Sequence, residues 1–366
     1  MDGFFLRAGL WAVAGAGLAA AVAAPSMAAD AASPQVELRD CSAGLRLFPS
    51  DHALIDPDLM PVLPILTTMD SGGAPRDPDI SKSRERLKGA MKGRVKPPPK
   101  TPGVAMEERH ILGIEDSPPV RVLVYTPEEG SGPRPGVIDI HGGAFVLGAA
   151  DGGDATNRKL AKEVGAVIVS VDYRLAPEHP FPAAIHDSYA ALKWLHDNAS
   201  ELGVDPARIA VMGGSAGGDL AASLALLARD KGEIPIKAQF LIYPNLDDRP
   251  FTALDPTCAP GTAAPVERSY VMYLGKAPGK DDVSPYAFAA RAKSVAGLPP
   301  AFLAVGAVDG LAEQSLSYAH RLIQAGVPTE LHVYPGAFHG FNMAAEAGVT
   351  KRFHEDLVYA LRRALN

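Results

Sequence analysis

One serine of this chain stands in a setting that could make its hydroxyl a nucleophile. Ser215 lies between two glycines in the run 213–217, where a short apolar stretch ends and an alanine-rich stretch begins. The pattern G-x-S-x-G at a strand-to-helix junction is typical of a sharp turn that holds the serine hydroxyl out at the top of a sheet. Glycine-rich turns after strands are also common without any chemistry, so this pattern alone leaves both interpretations open.

A nucleophilic serine needs a base to take its proton and an acid to orient that base. In chains with this serine turn, the acid and then a histidine follow the serine. Asp309 comes after the apolar run 300–306, and His339 lies in the loop after the run 329–334. Both lie beyond the carboxyl end of a predicted strand, the edge where open α/β sheets place their ligand sites. The alternatives are a helix-capping aspartate and a hydrogen-bonded loop histidine.

A third segment offers backbone donors for a negatively charged reaction intermediate. The predicted strand at 137–140 runs into His141, Gly142 and Gly143. Successive glycines allow backbone N–H groups to point at one spot, and we expect those of Gly142, Gly143 and Ala216 to form an oxyanion hole. Removing one such donor typically costs roughly 3–4 kcal/mol of transition-state stabilisation. His141 is interpreted as a structural anchor of this loop and not as a proton carrier.

Four separated motifs together resemble the bacterial hormone-sensitive lipase family of α/β-hydrolases. They are the glycine loop at 141–144, the segment at 172–178, the serine turn at 213–217 and the histidine loop at 335–341. The resemblance extends from about Val104 to the C-terminus. It implies a carboxylesterase of the α/β-hydrolase fold, with Ser215 as nucleophile, Asp309 as acid and His339 as base. It also implies that the N-terminal segment and an insertion at about 247–283 build a lid over the active site.

Several residues depart from the family pattern. Ala144 stands where the family usually has a third glycine, and Gly214 stands where it often has Asp or Glu. The run 310–314 after the acid also differs, so the family gives no guide to the wall of the acyl pocket. Asp139 interrupts an apolar strand, where a carboxylate needs a hydrogen-bonding partner or a raised pKa.

Short apolar runs alternate with helical patterns over most of the chain, which predicts an α/β fold. Continuous apolar runs are typical of buried parallel strands, and residues 104–126 should add antiparallel edge strands. We therefore expect a mostly parallel central sheet flanked by helices, with a small helical lid. The catalytic domain is predicted at 104–366, after an N-terminal extension and lid segment at 29–103. The predicted strands are 137–140, 166–171, 209–212, 238–242, 301–305 and 329–334, and the predicted helices are 156–164, 183–198, 219–230, 313–325 and 349–365.

The first 28 residues have the pattern of a secretory signal peptide. Arg7 precedes an apolar run at 8–24, and Ser26 and Ala28 are small residues at the two positions that a signal peptidase inspects. We expect cleavage after Ala28 and a mature protein that is periplasmic or secreted, without a stable membrane span. An uncleaved membrane anchor is the alternative, although the apolar run is slightly short for a bilayer.

The chain has two cysteines, Cys41 and Cys258, which an oxidising compartment could join. The resemblance assigns both to lid-forming segments, so a disulfide would pin the lid; free buried thiols are the alternative. Neither cysteine has a Cys or His companion at zinc-ligand spacing, and the predicted chemistry needs no metal and no cofactor. The formal net charge of −7 gives no reason to expect a nucleic-acid partner.

The predicted reaction is the transfer of a short acyl group from a small-molecule ester to water. A lactonase, a polysaccharide deacetylase, a peptidase or an interfacial lipase on the same scaffold is an alternative, and so is a non-catalytic small-molecule receptor. The receptor is disfavoured because His339 is present, and the lipase because no long apolar lid segment is evident. No motif encodes the natural ester or the oligomeric state.

Overall fold

An eight-stranded β-sheet organises the chain and confirms the predicted α/β architecture. The computed structural model describes residues 52–63, 80, 82, 84–85, 101–130, 132–249 and 265–366. All of them lie in the second of the two units into which the chain divides, Leu38–Asn366. The predicted signal peptide, Cys41 and Cys258 lie outside the described residues.

The sheet is mostly parallel, as predicted. Its strands are β1 (Val104–Ile111), β2 (Val120–Pro127), β3 (Arg134–Ile140), β4 (Val167–Asp172), β5 (Val204–Gly214), β6 (Ala238–Ile242), β7 (Ala301–Gly306) and β8 (Thr329–Tyr334). They are ordered β1-β2-β4-β3-β5-β6-β7-β8 across the sheet. Within the described sheet, β2 alone points opposite to the other strands, since it pairs antiparallel with both β1 and β4 and the remaining pairs are parallel.

Helices cover both faces of the sheet. They are α1 (Asp154–Val164), α2 (Ala183–Asp197), α3 (Ala216–Lys231), α4 (Pro265–Leu274), α5 (Ala312–Gln324) and α6 (Gly348–Leu365). Side chains of α2, α3 and α5 share one buried cluster with alternate strand residues such as Val122 and Val124. Side chains of α1 and α6 share the other buried cluster with Leu123 and Tyr125. Successive residues of β2 thus contact helices on opposite faces of the sheet, because side chains alternate along a strand.

The described parts of the predicted lid segments contain short helices. In the N-terminal segment they include 3₁₀ turns at His52–Leu54 and Pro57–Leu59, and a backbone hydrogen bond of 3.0 Å joins Asp56 N–H to the carbonyl of Gly336 in the histidine loop. In the later insertion, α4 buries Tyr270 and Tyr273. The domain boundaries stay a prediction. Within the described part of the chain, no helix is long and apolar enough to cross a membrane.

Candidate active site

The serine turn joins the end of β5 to the start of α3. Ser215 adopts φ +57° and ψ −122°, a strained conformation for a residue with a side chain. The turn is held on both sides, because Ser215 N–H donates to the carbonyl of Ile242 at 2.9 Å and the Ser215 carbonyl accepts from Asn245 N–H at 3.1 Å. A Cβ atom on Gly217 would lie 2.0 Å from the carbonyl oxygen of Ile140, so this position requires glycine.

Three side chains from separate loops form one hydrogen-bonded chain. His339 Nε2 lies 2.9 Å from Ser215 Oγ, and His339 Nδ1 lies 2.9 Å from Asp309 Oδ2. The other oxygen of Asp309 accepts from Leu311 N–H at 2.8 Å, so both carboxylate oxygens are bound. A carboxylate at Nδ1 favours the tautomer with a proton on Nδ1, which leaves Nε2 free to accept the serine proton. The structure therefore brings together the three residues that the sequence singled out.

The glycine loop after β3 lies directly against this serine. A Cβ atom on Gly142 would be 3.2 Å from Ser215 Cβ, and Gly143 adopts φ +127° where a Cβ would meet the carbonyl of Leu147 at 2.1 Å. The backbone N–H groups of Gly142, Gly143 and Ala216 donate no hydrogen bond to any residue in the described part of the chain. Three unbonded donors beside a serine hydroxyl can bind an oxygen that becomes negatively charged.

Buried aromatic contacts anchor the glycine loop. The His141 ring stacks on Tyr173 at 4.1 Å between centroids, and its Nδ1 donates to the carbonyl of Gly142 at 2.8 Å. The Tyr173 hydroxyl donates to the carbonyl of His141 at 3.0 Å. Burial lowers the pKa of His141, so its imidazole is neutral near pH 7. Ala144 adopts φ +54°, a conformation that favours glycine and that accounts for the residue type usual at this position.

Comparisons with known proteins give the same fold and the same chemistry. A family model described as alpha/beta hydrolase fold matches residues 137–343. The carboxylesterase NlhH of Mycobacterium tuberculosis is 37% identical over 322 residues, covering 85% of this chain and 97% of that protein. This chain belongs to the α/β-hydrolase family. The relatives named carboxylesterase and esterase make this α/β-hydrolase a carboxylic ester hydrolase, of the hormone-sensitive lipase type that the motifs predicted.

Solved esterase structures resemble the hydrolase over nearly their whole length. A bacterial heroin esterase has a TM-score of 0.76 and 38% identity, covering 86% of this chain and 99% of that one. An esterase of Pyrobaculum calidifontis has a TM-score of 0.72 and 35% identity, covering 85% of this chain and 100% of that one. The likeness therefore extends over nearly the whole of each solved esterase.

Tyr243, a residue to which the sequence motifs assign no role, packs against the histidine of the hydrolase. The Tyr243 ring lies edge-on to His339 at 4.7 Å between centroids, and its hydroxyl donates to Asn342 Oδ1 at 2.8 Å. A Cβ atom on Gly214 would lie 3.3 Å from this ring. The glycine where the family often has an acid thus leaves room for Tyr243, which supports His339 from behind.

The structure supplies a partner for the unexplained aspartate of β3. Asp139 Oδ2 accepts from Asn157 Nδ2 at 2.8 Å and from Ser170 Oγ at 3.1 Å. Burial raises the pKa of Asp139, and these two hydrogen bonds oppose the rise. Since Asn157 lies on α1 and Ser170 on β4, the carboxyl group ties a covering helix to two strands of the hydrolase.

Charged residues of the segment 172–178 act as scaffold. Arg84 of the N-terminal segment binds both carboxylate oxygens of Glu178, at 2.8 and 3.0 Å, and donates to the carbonyl oxygens of Val146 and Ala176 at 2.9 Å each. Asp172 accepts from the backbone N–H of Ala150 at 3.0 Å. Arg84 thereby links the N-terminal segment of the hydrolase to the loop that carries Gly142.

Within the described ranges, no group of three or more His, Cys, Asp or Glu side chains could hold a metal ion. The hydrogen-bonded chain from Ser215 to Asp309 can carry out acyl transfer with protein groups alone.

Proposed function

We propose that this chain is a serine carboxylesterase that hydrolyses small esters with short acyl chains through Ser215, His339 and Asp309. The observation that carries the proposal is the pair of 2.9 Å contacts that joins the serine hydroxyl to the histidine and the histidine to the carboxylate. The unbonded N–H groups of Gly142 and Gly143 beside Ser215 support it.

The proposed mechanism follows from this geometry. His339 Nε2 takes the proton of Ser215 as Oγ attacks the ester carbonyl carbon, and Asp309 holds the imidazole and stabilises its positive charge. The carbonyl oxygen becomes an oxyanion that accepts hydrogen bonds from Gly142, Gly143 and Ala216 N–H. His339 then protonates the leaving alcohol and the acyl group stays on Ser215. Water, deprotonated by His339, attacks this acyl-enzyme, releasing the carboxylic acid and restoring the serine.

Aromatic packing beside the glycine loop supports the preference for short acyl chains. Phe145 follows that loop and stacks on Tyr273 at 3.9 Å, and the edge of Phe288 meets both rings at 5.6 and 5.8 Å. All three side chains are buried. Close-packed rings leave less room for a long alkyl chain than small or flexible side chains would.

Ester hydrolysis by a nucleophile variant tests the proposal. Ser215→Ala should lower kcat for a short chromogenic ester by at least about a thousandfold, because loss of the nucleophile removes the covalent route. Ser223→Ala is the matched control, since Ser223 is a buried serine on α3, the helix that follows Ser215, and lies outside the proposed machinery. Its activity should stay near wild type. Retention of more than about a tenth of the wild-type activity by Ser215→Ala would refute the nucleophile assignment, and a maximum at long-chain emulsified esters would refute the short-chain preference.

We also propose that the chain is exported and cleaved near Ala28, and that Cys41 and Cys258 then form a disulfide. The charged, apolar and small residues at 7–28 support the export, and an oxidising compartment supports the bridge. The intact mass of the exported protein, with and without reductant, tests both parts.

A further inference from the structure

A cavity of about 400 Å³ lies outside the candidate active site. Arg249, Arg291 and Arg321 line it together with Asp281, and its remaining lining residues are valine or alanine. None of the residues proposed for catalysis lines it. A volume of this order matches the pockets in which proteins hold small molecules.

Two of these arginines are held in fixed positions by carboxylates that lie outside the cavity. Arg291 binds Asp248 through Nε at 2.6 Å and Nη2 at 3.0 Å, and only 10% of the Arg291 side chain is exposed. Arg249 Nε binds both carboxylate oxygens of Asp247, at 2.8 and 3.0 Å. The two carboxylates are buried and do not line the cavity. The remaining N–H groups of both arginines are therefore available without any rearrangement of the side chains.

The third arginine has no negative partner in the described part of the chain. Arg321 Nη1 donates to the carbonyl of Ala290 at 2.6 Å, and its Nη2 donates to the carbonyl of Ala292. Neutral carbonyl groups orient a guanidinium but leave its charge uncompensated. Among the lining residues three cations face one anion, the exposed Asp281. Asp247 and Asp248 offset the charges of Arg249 and Arg291 from behind the wall, so the positive charge left without a bonded anion among the lining arginines is that of Arg321. The hydrogen bonds of all three arginines fix their guanidinium groups.

We propose that this cavity binds a small molecule through a carboxylate or phosphate group held by Arg249, Arg291 and Arg321. The planar fork of an arginine matches both kinds of anion and donates two hydrogen bonds to either. Arg249 and Asp281 lie near the two ends of the insertion predicted at 247–283, and Arg321 lies on α5. A bound anion therefore connects the start of that insertion, at Arg249, to Arg291 just beyond its end and to the helix that follows Asp309.

Calorimetric titration of the full chain tests the proposal with three probes, inorganic phosphate, sulfate and citrate. Each titration is run at one ionic strength set with sodium chloride, so that general screening is constant. We expect saturable binding of at least one probe at a single site. Arg321→Gln should weaken that binding by about tenfold or more, the loss expected for charge-assisted hydrogen bonds. Arg249→Gln should weaken it too, and it leaves the carbonyl contacts of Arg321 untouched.

Arg229→Gln is the matched control. Arg229 also donates to two backbone carbonyls, those of Ser294 at 3.1 Å and Ala296 at 2.8 Å, but it does not line the cavity. This variant and Ser215→Ala should bind the probe as the wild type does. Binding of phosphate and sulfate alone supports a phosphate ligand, and binding of citrate alone supports a carboxylate ligand. The proposal is overturned if no probe binds saturably, or if Arg321→Gln and Arg249→Gln bind with wild-type affinity.

Discussion

Asp219 is a carboxyl group in an unfavourable place, one helical turn beyond the serine. It is 0% exposed, and one oxygen accepts from the backbone N–H of Ala289 at 2.9 Å while the other has no hydrogen-bond partner among the described residues. Burial raises the pKa of Asp219 well above its usual range, and the nearby Asp248 and Asp247 add to the rise. The folded protein therefore holds a proton that the unfolded chain releases near pH 4.

This difference predicts how stability depends on pH. Because the pKa is higher in the folded state, the contribution of Asp219 is fully present below about pH 4 and is lost as the pH rises toward the folded value. Asp219→Asn removes this titration and keeps the acceptor for Ala289. The Tm of the variant minus that of the wild type should thus be about 2 °C or more larger at pH 8 than at pH 5. Differential scanning calorimetry at both pH values measures it.

Asp205 provides a control, because its pKa is shifted in the opposite direction and its effect on stability should change with pH in the opposite sense. Hydrogen bonds from Ala207 N–H and from Arg208 lower the pKa of Asp205. Its contribution is present above the unfolded pKa and is lost as the pH falls through the lowered folded pKa, so Asp205→Asn should destabilise more at pH 8 than at pH 3. A Tm difference for Asp219→Asn that is equal at pH 5 and pH 8 would contradict the assignment of a protonated carboxyl group.

At the scale of single residues, the sequence predicted which side chains belong to the candidate site but not which distant residues contact one another. Ser215, Asp309 and His339 could be named because their chemistry leaves a pattern along the chain. Asp219 pairs with a backbone group 70 positions away, and Tyr243 contacts a histidine on a different loop. Such partners depend on how loops fold over one another, which no local pattern encodes.

At the scale of elements, the N-terminal segment contributes to the catalytic loop through Arg84. Arg84→Met removes its four hydrogen bonds to Val146, Ala176 and Glu178. We expect kcat for a short ester to fall about tenfold with little change in KM, because the oxyanion donors would lose part of their fixed position. Steady-state kinetics over a range of ester concentrations separates the two constants.

Two further variants decide whether the effect is specific. Glu178→Gln keeps one oxygen acceptor for Arg84 and should lose less kcat than Arg84→Met. Arg109→Met removes an exposed arginine of β1 that pairs with Glu107, and it should leave both constants unchanged. A wild-type kcat in Arg84→Met would show that the N-terminal segment has no part in positioning the loop.

The strands themselves could be predicted because burial on both faces leaves continuous apolar runs. The start of β5 was not predicted because it lacks such a continuous apolar run. Val204 pairs with Arg134 ahead of a register shift, and the charged residues Asp205 and Arg208 and the proline at 206 interrupt the apolar pattern over this part of the strand. The register shift is a property of the pair of strands, so the sequence of one strand does not reveal it.

At the scale of the whole molecule, the export proposal predicts the mass of the mature protein. Cleavage after Ala28 should give a chain that begins at Ala29, wherever the full-length gene is expressed with a functional secretion pathway. Its intact mass should rise on reduction by the mass of two hydrogen atoms if Cys41 and Cys258 are joined. Recovery of the uncleaved chain from membranes would contradict the cleavage, and an unchanged mass on reduction would contradict the bridge.

The strand order has a consequence for when the enzyme becomes active. The contact between Ser215 and His339, on which the proposed mechanism depends, spans 124 positions, and His339 follows β8, the last strand of the chain and one edge of the sheet. Contacts between distant segments form slowly in folding, so the hydroxyl has no base until the final strand has docked. A chain that is still being synthesised, or that crosses a membrane unfolded, cannot cleave esters on the way. Ester hydrolysis therefore begins only after the chain has folded.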